Sequence, residues 1–386
     1  MDAVLPILDK SGKSGIYVHY PFCVKKCSYC DFYSEGIGSE PSPFEAPLFR
    51  AYEEEILHRI AGDRSGKDLR FDTIFFGGGT PSKAAPERIA KFILFLKKNL
   101  PIEKDAEITL ECNPEDLNPK LLQELHDAGI NRAHVGIQSY QGTHLNFLDR
   151  FYDPETYSRV LDAFSGSSIR NFGADLMFGV PGQREEEFYS DMERILSAGV
   201  SHISLYALTV EKGTDYSRKV SDGILPAPEE EIQERILRDL PEILRKRDFF
   251  QYEVSNYSKP GFQSRHNLKY WTYEYYLGIG PGAHGFLPQG RYANARNTQA
   301  YLKRKEYGSY EIPSPFEEIV LSLFRIFLPI RLDGFLSLIP ERAEELKKKL
   351  RNKSETGIAT WDGSVFRWKP EAVLFLDSEI LDLVKG

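Results

Sequence analysis

From about residue 16 onward, short runs of β-branched and aromatic residues alternate with longer stretches whose apolar positions recur at helical spacing. The pattern predicts six strands, at Ile16–Tyr20, Thr73–Phe76, Glu107–Glu111, Arg132–Gln138, Gly173–Phe178 and Ile203–Leu208. Helical patterns follow them at Ala51–Ile60, Pro86–Lys98, Pro119–Ala128, Pro154–Phe164, Glu185–Ala198 and Glu229–Lys246, several opening on Pro or an acidic first turn. Strands alternating with helices build a parallel sheet, and six such units suit an α/β fold, a partial (β/α)6 TIM-like barrel. Gln251–Tyr257 reads as a seventh strand.

Beyond about residue 310 the rhythm changes. A helix at Phe316–Phe327, a helix at Glu341–Leu350, a hairpin of Ile358–Trp361 and Val365–Trp368 turning at Asp362-Gly363, and a last helix from Pro370 describe a small winged-helix-like α+β domain. The expected division is a barrel over 1–300 and a small domain over 310–386. Glu35–Pro47, rich in Gly, Ser and Pro, reads as a mobile loop.

The chain has 386 residues, enough for one large core and a small one. No apolar run approaches the roughly 20 residues that span a bilayer, and the N-terminus shows no basic segment leading an apolar one. A cytoplasmic protein that is not an integral membrane protein is therefore expected, with reduced thiols. Its formal charge of −8, with no basic run, argues against a nucleic-acid partner.

Three of the four cysteines fall within eight positions, as Cys23-x3-Cys27-x2-Cys30, and such clustering points to a metal or cluster site. Three thiolates on a four-iron cube leave one iron free for a small chelating molecule. The alternative is a zinc knuckle with His19 or Cys112 as fourth ligand, although the second spaced pair usual for zinc is missing. Cys112 reads as a small buried residue. The C-terminal ends of the predicted strands, where α/β barrels build their sites, carry Gly77-Gly78-Gly79-Thr80, Glu111, Gln138 and Asp175, where a purely structural end would carry large apolar residues.

The cysteine loop after a first strand, with an aromatic before its last Cys, resembles the radical S-adenosylmethionine (radical SAM) superfamily. Tyr-Val-His-x-Pro-Phe-Cys, Gly-Gly-Gly-Thr-Pro-Ser at 77–82, Glu-Cys-Asn-Pro-Glu at 111–115, Gly-Ile-Gln-Ser at 136–139 and Asp-Leu-Met-Phe-Gly-Val-Pro-Gly-Gln at 175–183 resemble its oxygen-independent coproporphyrinogen III oxidase-like subgroup. That resemblance implies a [4Fe-4S] cluster on Cys23, Cys27 and Cys30. It implies SAM contacts from Gly78, Gly79, Thr80, Glu111, Gln138, Arg150 and Asp175, with Tyr17, Ala207 and His284 around the cluster and adenine.

Within the subgroup, the decarboxylating oxidases carry a fourth cysteine two positions after the third, and a longer N-terminal segment. Here that position is Phe32, and 22 residues precede Cys23. Both features, and His266-Asn267-Leu268-Lys269-Tyr270-Trp271, resemble the haem chaperone branch. The implied cargo is haem, contacted by His266, Asn267, Tyr270 and Trp271 with His266 as an axial ligand, and the implied recipients are apo-haem proteins. A flavodoxin or ferredoxin as electron donor and a homodimer are compatible with the resemblance. The competing function is a radical SAM oxidoreductase acting on a porphyrinogen. Without the resemblance, an aromatic pair near a strand and a lone histidine read as core and a satisfied hydrogen-bonding group.

Overall fold

The computed structural model describes residues 13–40, 42–61, 69–150, 153–304, 307–311 and 315–385, with residues 4, 5, 7 and 8. The six expected strands are present as β1 (Lys13–Tyr20), β2 (Arg70–Gly78), β3 (Ile102–Cys112), β4 (Arg132–Gln138), β5 (Asn171–Phe178) and β6 (His202–Ala207). Each pairs in parallel with the next. The crossovers run through α1 (Glu45–Ala61), α2 (Pro86–Asn99), α3 (Pro119–Asp127), α4 (Pro154–Ser165) and α5 (Glu185–Ser197), and α6 (Glu230–Arg245) follows β6. In α2, Ile89, Phe92, Ile93 and Leu96 supply the buried stripe at i, i+3, i+4 and i+7. Asn118 caps α3 by accepting the Leu121 N–H at 2.9 Å, and Pro119 fills its first turn.

The sheet extends past these six. After α7 (Arg265–Trp271), the chain adds β9 (Tyr276–Ile279) in parallel on the free side of β1. The antiparallel β10 (His284–Leu287) and β11 (Gly290–Ala293) continue that edge. The expected seventh strand is corrected. Instead of one strand over Gln251–Tyr257, β7 (Phe250–Gln251) and β8 (Asn256–Ser258) pair antiparallel with each other, and β8 pairs antiparallel with β6. The Glu253 carboxylate accepts the Ser255 N–H at 3.3 Å, a local bond that turns the chain where a strand would run straight. The eleven strands lie in the order β11-β10-β9-β1-β2-β3-β4-β5-β6-β8-β7.

Alternation along the parallel strands separates two chemistries. Ile16 and Val18, Ile74 and Phe76, Ile108 and Leu110, Ala133 and Val135, Ala174 and Leu176, and Ile203 and Leu205 all belong to the main apolar core. Between them come Tyr17, Phe75, Glu111, His134, Asp175 and Ser204, which face the other way, into the concave side. Curling of the sheet brings Tyr17 of β1, Glu111 of β3, Tyr206 of β6 and Tyr276 of β9 to the wall of one cavity.

Residues 315–385 supply a second core, in which Phe324, Leu332, Phe335, Leu346, Phe366 and Trp368 pack with Tyr276 and Phe286 at the edge of the large sheet. Its elements are a helix at Pro315–Leu323, a strand at Ile330–Arg331, helices at Asp333–Leu338 and Pro340–Glu355, and strands at Ala359–Trp361 and Val365–Trp368. The third of these strands lies between the other two, the order of a winged-helix-like unit. The first helix stops short of the expected Phe327, because the chain leaves it to bridge Ile326 to Glu253 and to give the Phe327 N–H to the Tyr252 carbonyl at 3.0 Å.

Glu35–Pro47 also departs from a free loop. Residue 41 lies outside the described residues, but Glu35–Gly36 pairs in parallel with Phe22–Cys23, and α1 already begins at Glu45. The Glu45 carboxylate accepts the Tyr20 hydroxyl at 3.1 Å and pairs with Arg88 at 2.8 Å.

Candidate functional site

Where β1 ends, the glycine run after β2 fastens onto the cysteine loop. The Gly79 N–H donates to the Tyr20 carbonyl at 2.7 Å and the Thr80 N–H to the Phe22 carbonyl at 2.9 Å. This approach needs glycine, since a Cβ on residue 79 would sit 2.8 Å from the Phe22 carbonyl oxygen. Thr80 then points its hydroxyl at Cys23 Sγ, 3.4 Å away. Cys23, Cys27 and Cys30 are half-buried, and together they line a cavity of about 560 Å³ with Gly78, Gly79, Thr80 and Arg150.

Burial pushes all three thiols up, Cys30 to about 11, while Thr80 draws Cys23 back down and Arg150 does so for Cys27. Thiols so placed ionise when a metal centre supplies the compensating charge. Among the described residues no three His, Cys, Asp or Glu side chains are gathered closely enough to hold a single metal ion. Three thiols around a cavity of this size suit a larger body, and a thiolate-held iron-sulfur cube fits the donor set.

The zinc alternative does not find its fourth ligand in His19 or Cys112. His19 has Nε2 against the Tyr33 carbonyl at 2.8 Å, so Nε2 donates and Nδ1 accepts the Tyr17 hydroxyl at 2.9 Å. Cys112 is buried in the apolar core.

At Gly78 this cavity meets a second one, of about 670 Å³. Gly78 has φ of +109°, and a Cβ there would fall 2.5 Å from the His19 ring, so both backbone and space demand glycine. Its N–H donates to Glu111 Oε2 at 3.2 Å. Burial, reinforced by the charge of Asp175, pushes the Glu111 carboxyl up to about 8. Asp175 is held by His134 Nε2 at 2.5 Å, and Ser204 Oγ lies 3.0 Å from the same nitrogen. Gln138 takes a left-handed φ of +67° at the irregularity that ends β4. Arg150 Nη2 donates to the Gly136 carbonyl at 2.6 Å and to Asn113 Oδ1 at 3.3 Å.

Of the expected SAM residues, Gly78, Gly79, Thr80 and Arg150 therefore line the cysteine cavity, and Tyr17, Gly78, Glu111 and His284 line the second. Gln138, Asp175 and Ala207 sit at or near strand ends without lining either wall. The second cavity also has residues the sequence reading passed over: Phe75, Tyr206, Glu253, Tyr276 and Arg296. Alternation would have found Phe75 and Tyr206, which lie on the inward face opposite Phe76 and Leu205. Arg296 carries no such signal, because it follows an edge strand.

Asn267, Tyr270 and Trp271 line the second cavity, but His266 does not. Fully buried, it places Nδ1 2.8 Å from Thr73 Oγ1 and Nε2 2.8 Å from the Tyr270 hydroxyl, and it stacks on Phe75 at 5.2 Å. Burial lowers its pKa to about 3. The expected axial ligation is corrected on this geometry. Both ring nitrogens are committed behind the wall, and what His266 does is fix Tyr270. Helix α7 is placed to allow this, with Ser264 Oγ accepting the Asn267 N–H at 3.2 Å and the Glu107 carboxylate taking the Arg265 and His266 N–H groups at 3.4 and 3.2 Å.

Residues 17–195 match the model of the Radical SAM superfamily. The chain is 36% identical over 295 residues to the mitochondrial radical S-adenosyl methionine domain-containing protein 1 of Bos taurus, covering 75% of this chain and 64% of that relative. It thus spans less than two thirds of that protein's length. It is 34% identical over 289 residues to the heme chaperone HemW of Escherichia coli (strain K12), covering 74% of this chain and 73% of the relative. Among solved structures, coproporphyrinogen III oxidase (HemN) from Escherichia coli superposes with a TM-score of 0.79 at 19% identity over 97% of this chain and 90% of that one, a likeness of fold. No helix among the described residues is long and apolar enough to cross a membrane.

Proposed function

We propose, from the premise that the chain belongs to the radical SAM superfamily and within it to the family of the heme chaperone HemW, that it binds haem and passes it to apo-haem proteins. The observation that carries this reading is the second cavity, roomy and walled by Tyr17, Phe75, Tyr206, Tyr270, Trp271 and Tyr276, a lining suited to a flat apolar macrocycle. Phe32, 65% exposed, stands on the same wall where the decarboxylating subgroup carries a cysteine.

Cys23, Cys27 and Cys30 would hold the [4Fe-4S] cluster, which would supply an electron and a binding point for SAM. Around it the chain's own groups do the binding. The Gly78 and Gly79 backbone admits the amino acid end closely, Glu111 takes the ammonium, and Arg150 faces the carboxylate. Asp175, oriented by His134, takes the ribose hydroxyls. Tyr17 adds to the wall of the second cavity, and Gln138 and Ala207 stand at the nearby strand ends. We assign the cofactor-bearing unit to 1–300 and a packing unit to 310–386. We place the chain in the cytoplasm, where a flavodoxin or ferredoxin would serve as electron donor.

Loading the reconstituted protein with haem and mixing it with an apo-haem protein tests the reading. Transfer should restore the recipient's spectrum faster than free haem does at equal concentration. A chain that takes up no haem, or holds it without release to any apo-protein, is not a chaperone.

A further inference from the structure

Three histidines stand at or behind the wall of the second cavity, and their ring nitrogens are unequally committed. His19 gives both to Tyr17 and Tyr33, and His266 gives both to Thr73 and Tyr270. His284 lines the cavity, is exposed, and makes no side-chain hydrogen bond among the described residues. Its backbone is well fixed. It opens β10, pairs with Ala293, and lies so close to β9 that a Cβ on Gly278 would meet the His284 carbonyl oxygen at 1.8 Å. Desolvation of its inner side and the nearby Arg296 and Arg291 hold the imidazole below its ordinary pKa, which favours the neutral ring.

We propose that His284 is the axial ligand to the iron of the haem cargo, with Tyr270 and Trp271, residues of the same wall, packing against the macrocycle. Imidazole is a common proximal ligand to haem iron. A lone pair on the neutral ring forms the Fe–N bond, so no proton or electron has to leave the protein. His266 acts one step removed, as the positioning residue for Tyr270. The inference rests on the haem-carrier reading above and replaces His266 with His284 as the ligand.

Haemin is titrated into the cluster-reconstituted full chain, without SAM, as wild type, His284→Gly and His266→Ala, following difference absorbance and the electron paramagnetic resonance of ferric haem. Cluster absorbance monitors folding in each. The wild type should show a histidine-ligated spectrum. His284→Gly should lose that signature and bind at least tenfold more weakly, and added imidazole should restore it, which repair of a merely structural defect would not do. His266→Ala should keep the signature with a few-fold weaker affinity. Unchanged affinity and spectrum in His284→Gly, or loss of the signature in His266→Ala alone, overturns the assignment. Failure of the wild type to bind haemin would instead sink the carrier reading itself.

Discussion

The two cavities that meet at Gly78 are built in opposite ways. The cysteine cavity draws its donors from one loop of eight residues, clipped by the backbone of Gly79 and Thr80. The aromatic cavity takes Tyr17, Phe75, Glu111, Tyr206, Tyr270 and Tyr276 from six separate segments, and exists only because the sheet curls and β9 docks beside β1. A loop whose spacing is set by its chemistry tolerates little change of residue type. A wall assembled from side chains of many strands spreads its function over several contacts, each of modest effect.

That contrast predicts graded outcomes. Replacing Cys23, Cys27 or Cys30 by Ala should abolish iron binding after anaerobic reconstitution, read as lost charge-transfer absorbance, while haem uptake persists. Cys112→Ala should leave iron content unchanged. If Cys112→Ala removed the cluster, the ligand assignment would fail.

Gly78 belongs to both cavities, and its substitution should damage both. Gly78→Ala adds a left-handed backbone cost of about 1–2 kcal/mol and a clash with His19 of about 1–3 kcal/mol. Thermal unfolding should report the destabilisation, and titrations should show SAM and haem binding both weakened. Loss of only one would break the shared-wall account.

Glu111→Gln should weaken SAM binding by about 1.5–3 kcal/mol, the range for a hydrogen bond to a charged group, with iron content and haem uptake intact. The wild type should bind SAM more tightly as pH rises toward 8, where the Glu111 carboxyl ionises. Stability without ligand runs the other way. The folded carboxyl holds its proton up to about 8 and the unfolded one only to its ordinary value of 4.5, so this group's stabilisation is complete below 4.5 and lost as pH climbs to about 8. Glu111→Gln should flatten that decline in melting temperature. An unaltered pH profile in the variant would remove Glu111 from the role.

The smallest effect belongs to the aromatic wall. Trp271→Ala should weaken haem binding by about 0.5–1.5 kcal/mol with the cluster and SAM affinity unchanged. A loss of several kcal/mol would show that the wall is not a set of distributed contacts.

What the sequence made legible follows the same division. β1 to β6 could be placed because each apolar run and each amphipathic helix is a local signal, and the three cysteines of the first cavity stood out because their spacing is contiguous. The bend at Glu253 escaped because a single side-chain bond to the Ser255 N–H overrides the strand pattern of Gln251–Tyr257. The edge strands β9 to β11 escaped because they are four residues each and lean on β1 for their place. His266 was found by its motif but misplaced in role, since only the fold reveals that Thr73, far away in sequence, already takes its Nδ1.

The central claim is that the aromatic cavity carries haem and does not process a porphyrinogen. Reconstituted protein, with SAM and a strong reductant, is offered haemin in one arm and coproporphyrinogen in the other. The account predicts saturable haem uptake in the first and no decarboxylated product in the second; turnover of coproporphyrinogen, or a haemin spectrum unchanged from that of free haemin, would contradict it.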